Sequence, residues 1–141
     1  MQAGMQPVGL AMVVCDAVWR DPATGKHTLL GTFSALFARQ FPLRWPMMAV
    51  YCAVTECRGK VPVSIRIIDT NEERDPVAVS PGEIDLDDPL GVVEMVHMLG
   101  NLVFPEPGEY RVQLFADETL IVERRLVVTH PPAPPREGEE Q

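Results

Sequence analysis

Apolar residues in this chain recur at every second position, in blocks closed by turn residues, and that period dictates sheet rather than helix. Val61, Val63, Ile65 and Ile67 share one face of an extended segment, with Pro62, Ser64 and Arg66 opposite. Tyr110, Val112 and Leu114 alternate with Arg111 and Gln113. Leu120, Val122, Leu126 and Val128 make a third row against Glu123, Arg125 and Thr129. Arg124 interrupts that row, which predicts either a bulge or a place at the open rim. Ala11, Val13, Cys15, Ala17 and Trp19 make a fourth row, with Asp16 and Arg20 opposite.

The blocks are separated by residues with a turn mechanism. Asp21-Pro22-Ala23-Thr24-Gly25-Lys26 offers a fixed φ at proline and a left-handed position at glycine. Arg58-Gly59-Lys60 and the stretch 71–76 act similarly, and Ala116-Asp117-Glu118-Thr119 closes a last hairpin. Only the stretch 88–104 reads two ways. Asp88 with Pro89 could open a helix, with Val92, Met95, Val96 and Leu99 at helical spacing. Gly91, Gly100, Asn101 and the valine content favour a strand with Met95, His97 and Leu99 on one face and Val96 and Met98 on the other. Two apolar faces suit a central strand, or one covered by a partner.

A chain of 141 residues with 46% apolar and 23% charged residues is one domain with its own core. We expect a flexible N-terminus over 1–9, the folded domain over 10–130, and a disordered tail over 131–141. That tail, His130-Pro131-Pro132-Ala133-Pro134-Pro135 and then Arg136 to Gln141, has no apolar face to bury. Its Pro-x-x-Pro steps could engage an aromatic-lined groove. The first fifteen residues end like a lipoprotein signal, but they lack a basic start and place bulky Val14 before Cys15. Met5 and Met12 are alternative starts.

The net charge is −8, and the cations are scattered as Arg39 and Arg44, Arg58 and Lys60, Arg124 and Arg125. This argues against binding nucleic acid or an anionic membrane, and leaves room for a basic protein partner. Cys15, Cys52 and Cys57 have no metal-type spacing and read as small buried hydrophobes, which fits a cytoplasmic protein. In a regular strand Cys52 and Cys57 would point to opposite faces.

The stretch Phe104-Pro105-Glu106-Pro107-Gly108-Glu109-Tyr110 ends one strand, turns a corner and opens the next with tyrosine. It resembles the tyrosine corner of immunoglobulin-like sandwiches, with Pro107, Gly108 and Tyr110 as its structural residues. The expected fold is therefore all-β, an immunoglobulin-like antiparallel β-sandwich of about seven to nine strands. Val14-Cys15-Asp16, Gly25-Lys26, Leu30-Gly31-Thr32-Phe33, Pro89-Leu90-Gly91 and the corner together resemble a bacterial family of uncharacterised β-sandwich proteins. That resemblance implies the sandwich and no activity.

Neither a nucleophile elbow, a phosphate loop, a paired-histidine helix nor a CxxC site is present in the sequence. Ser34 and Ser80 have no base nearby in sequence, and Cys15 or Cys52 with His97 is the imaginable catalytic set. We expect no enzyme and no cofactor. The leading expectation is a protein-interaction or assembly module, self-associating or binding another protein through Trp45, Met47, Met48, Met95, His97 and Met98. The second is a calcium-dependent binding domain. Its oxygens would come from acidic loops at 69–75 and 83–88, with Asp69, Asn71, Asp75, Asp85, Asp87 and Asp88 as ligands. A hydrolase is third.

Overall fold

The alternating blocks become nine strands in the computed structural model, which describes residues 6–70 and 74–133. They are β1 (Val8–Arg20), β2 (His27–Thr32), β3 (Ala35–Phe37), β4 (Leu43–Thr55), β5 (Gly59–Asp69), β6 (Ala78–Leu86), β7 (Val92–Phe104), β8 (Gly108–Ala116) and β9 (Thr119–Thr129). One sheet has the order β2-β1-β4-β7, the other β3-β9-β8-β5-β6. Every pairing is antiparallel except β3 with β9. The order, with the chain crossing between sheets after β2, β3, β4, β6 and β7, is that of an immunoglobulin-like sandwich extended by the β1–β2 hairpin. Asn71, Glu72, Glu73 and residues 134–141 lie outside the described residues.

The predicted rows of β5 and β8 face the core as read: Val63, Ile65, Ile67, Tyr110, Val112 and Leu114 are all buried. They meet Met48, Val50, Cys52 and Val54 of β4 from the other sheet. In β9 both proposed reasons for Arg124 hold. The register shifts just before it, where Leu114 pairs with Val122 but Phe115 with Leu120. Arg124 then lies at the rim, donating from its guanidinium to the Met12 carbonyl at 3.0 Å and tying β9 to β1.

The corner forms as expected. Tyr110 Oη donates to the Glu106 carbonyl at 2.6 Å, and its ring meets Phe104 edge-on at 5.0 Å. Gly108 is the first residue of β8, so the crossover from β7 to β8 takes three residues. At the β1–β2 turn Asp21 holds both arms: its carboxylate accepts from Ala23 N and Thr24 Oγ1, and Gly25 is left-handed at φ 75°. Asp117 (φ 51°) and Glu118 (φ 68°) make the two-residue β8–β9 turn, the left-handed pair that matches strand twist. Arg58-Gly59 is a crossover between sheets rather than a hairpin.

Four features differ from the pattern of regular strands or from the reading above. Segment 88–104 gives strand β7 at the edge of its sheet, so of the two placements read for it, central or covered by a partner, the central one is excluded. The row from Ala11 to Trp19 is not a single face. Met12 and Val14 enter the core, and the alternation breaks where left-handed Gly31 (φ 70°) sits between the pairs Cys15–Thr32 and Ala17–Leu30. Strands β4 and β7 also switch faces together: Trp45 and Met48 both turn inward, as do Leu99 and Leu102. The switch falls between the pairs Met47–Gly100 and Trp45–Leu102, at Pro46 and left-handed Asn101 (φ 53°). Finally, Cys57 lies beyond the end of β4, so Cys52 and Cys57 both enter the core, and all three thiols are free and buried.

Candidate functional site

Register decides which side chains of the four-stranded sheet face away from the core. Those of β4 are Met47, Ala49, Tyr51, Ala53 and Thr55, and their partners across β7 are Gly100, Met98, Val96, Glu94 and Val92. Beyond the irregularity at Gly31, the β1–β2 hairpin turns Val18, Arg20 and His27 to the same side. Together with Gly25, Glu94, Val96 and Met98 these residues line a recess of about 640 Å3.

A polar cluster stands in this apolar surround. Tyr51 Oη donates to Glu94 Oε2. His27 Nδ1 lies 3.4 Å from the same oxygen without hydrogen-bond alignment, and the His27 and Tyr51 rings are 5.5 Å apart. Burial, and then the hydrogen bond to the Glu94 carboxylate, push the Tyr51 phenol up to about 12. The phenol therefore stays protonated and acts as a donor, which suits it to fixing Glu94 rather than to taking up a proton. Arg20 brings a compensating positive charge to the recess, and its guanidinium lies over Gly25. None of this cluster was singled out in the sequence. Its members come from β2, β4 and β7, and only pairing brings outward positions of three strands together.

The interaction set read from sequence divides between two sides. Met47 and Met98 lie on the outer face, 47% and 50% exposed. Met48 is fully buried in the core, Met95 packs against the core, and Trp45 is half-buried beside Phe33. His97 also points inward, where Ser80 Oγ meets its Nδ1 at 2.9 Å. The sequence reading had the wrong parity here because Met47 and Met48 are consecutive and cannot share a strand face.

The Ser80–His97 contact supplies the base that Ser80 lacked in sequence. It also joins β6 of one sheet to β7 of the other, closing the sandwich edge opposite Arg124. Burial pulls the His97 imidazole below its ordinary range, so the ring is neutral at pH 7. Cys52, the imagined nucleophile, is enclosed in the core with its thiol pushed up to about 12 by burial. Such a thiol is inert.

The acidic loops do not converge. Asp85 pairs with Lys60 at the start of β5, whereas Asp69 is the last residue of that strand. At about 3.3 Å per residue the two lie roughly 30 Å apart along the strand. Asp69 is 3.4 Å from Arg74, and Asp75 follows at that same end. Asp87 and Asp88 follow β6 at the other, where Asp88 shapes a turn by accepting from Leu90 N at 2.9 Å. Among the described residues, no three acidic, histidine or cysteine groups come together as a metal site.

The chain belongs to a family of unknown function, DUF6941, whose model matches residues 10–129. Among curated proteins, nothing matches the sequence. A β-glucosidase from Erythrobacter marinus is similar in structure, with 13% identity and a TM-score of 0.49 over 88% of this chain and 15% of that one. A β-D-glucoside glucohydrolase from Trichoderma reesei gives 12% identity and a TM-score of 0.48 over 88% and 19%. An immunoglobulin-like protein from Pseudomonas aeruginosa matches over 90% of this chain and 99% of its own, with 12% identity and a TM-score of 0.42. The chain thus spans less than a fifth of each glucosidase. No helix among the described residues is long and apolar enough to cross a membrane.

Proposed function

We propose that this member of the family is a non-catalytic protein-interaction module that self-associates, with the outer face of the four-stranded sheet as its working surface. One observation carries the reading: that face is apolar apart from one polar cluster, whereas the opposite sheet turns a charged face to water. An antiparallel sheet ordinarily turns one polar face to water, and this one is mostly apolar on both. The immunoglobulin-like fold is compatible with a non-catalytic module and adds no chemistry of its own. Three buried free thiols fit a reducing, cytoplasmic setting.

The test is solution mass, by light scattering behind a sizing column over a hundredfold range of concentration. A dimer or larger species is expected, with its mass indifferent to calcium or chelator. A strict monomer throughout that range overturns the reading.

A further inference from the structure

We infer that two copies stack their four-stranded sheets face to face about a two-fold axis, each covering the recess of the other. This rests on the self-association proposed above and says which surfaces meet. Two arrangements compete, because β7 is also a long unpaired edge: thirteen residues with Glu94 as the single charge and no proline. The other edges are shorter or blunted: β6 carries Pro81 with Glu83 and Asp85, β3 has three residues, and β2 has six with left-handed Gly31 among them.

Area favours stacking. Four strands about 4.8 Å apart, paired over roughly nine residues of 3.3 Å each, present ~600 Å2 per copy, or ~1,200 Å2 for two. That reaches the range of stable interfaces, about 1,200–2,000 Å2. Adding β7 to β7 edgewise covers a ribbon one strand thick, roughly half as much, which falls short of the ~1,000 Å2 a stable contact requires.

Charge favours a second copy over a basic partner. The protein carries −8 overall, but the recess balances Glu94 with Arg20, so two such faces approach without like-charge repulsion. A basic partner would find its complement on the acidic loops instead. Within the cluster Tyr51 already donates to Glu94 Oε2 and Arg20 lines the same recess, so the carboxylate would not be covered alone. Ala49 and Ala53, short side chains already covered by their neighbours, lie at the middle of the face. Met47 and Met98 rise beside them as unbranched side chains able to fill the partner's recess. An isologous contact of this kind closes as a dimer.

The experiment combines light scattering with methionine oxidation by hydroxyl radicals, using the full chain and Met98→Glu, whose half-exposed position leaves the core untouched. Circular dichroism confirms that the variant folds. The expected result is a wild-type dimer in which Met47 and Met98 are both protected from oxidation. Met98→Glu should then weaken association by roughly tenfold or more and expose Met47. A wild-type dimer whose Met47 is oxidised as fast as Met47 of the variant overturns stacking in favour of edge pairing, while self-association stands. A wild-type monomer overturns both.

Discussion

On the outer face of β8 and β9, Arg111 reaches Glu109 at 2.8 Å and Glu123 at 3.1 Å, and Gln113 also donates to Glu123. Arg66 of β5 lies 4.1 Å from the centre of the Phe115 ring and pairs with Glu118. On the far side of the molecule, outward positions of the same kind are held by Ala49, Ala53, Val92, Val96 and Met98. Both sheets give equally apolar inner faces to one core. They differ only in the residues that do not touch it. Folding needs the inner faces alone, so the outer faces are free to record what each sheet meets. One turns charge pairs to water, and the other turns mostly apolar side chains outward, which the self-association proposed above would cover.

The inner faces should prove equivalent, and truncating them should have the largest effect. Met48→Ala from the four-stranded sheet and Leu114→Ala from the five-stranded sheet should each cost about 2–5 kcal/mol, read from urea unfolding. A cost confined to one sheet would show that the two do not share a cooperative core. Next comes the corner that links them: Tyr110→Phe should cost about 0.5–1.5 kcal/mol by the same measurement, because the corner loses the hydrogen bond from the Tyr110 hydroxyl to the Glu106 carbonyl. A neutral result would make the corner incidental.

The Ser80–His97 stitch between the sheets should appear as a pH dependence. Burial lowers the His97 pKa from 6.5, so below pH 6.5 the unfolded chain takes up a proton that the folded one resists. Stability contributed by this group is present above 6.5 and is lost as pH falls through that value toward the lower folded pKa. His97→Gln should flatten the difference in urea midpoint between about pH 7.5 and pH 5 relative to wild type. An unchanged slope would remove His97 as its source.

The smallest effects belong to the outer faces and sharpen the contrast most. Glu123→Gln should change stability by less than about 1 kcal/mol, shrinking further in salt, and should leave the solution mass unchanged. Met98→Glu should also leave monomer stability within about 0.5 kcal/mol, yet change the solution mass. If Glu123→Gln dissociates the protein instead, the working surface lies on the other sheet.

Much of the fold was legible because a period of two is a local property. The rows of β5 and β8, the Asp21–Lys26 turn and the Tyr110 corner each need only neighbours in sequence to be recognised. The stretch 88–104 was read correctly as strand, since glycine and valine outweigh its helical spacing. Its place at an edge was not legible, because an apolar strand reads the same whether a sheet or a partner covers its second face. Candidate residues fared worse. Met47 and Met48 looked like one patch, and the acidic loops looked like one site, because closeness along the chain stood in for closeness in space.

By itself, then, the sequence determined that the chain makes strands, where most of them turn, and that one corner is pinned by Tyr110. It also determined a charge that argues against polyanion binding. Tertiary structure alone decided which alternate residues face inward, because single irregularities at Gly31 and at Pro46 opposite Asn101 invert the parity of everything beyond them. It also brought His27, Tyr51 and Glu94 together and set Ser80 on His97. Such contacts depend on strand order and register, and those are fixed by how the two inner faces pack, not by any residue's own preference.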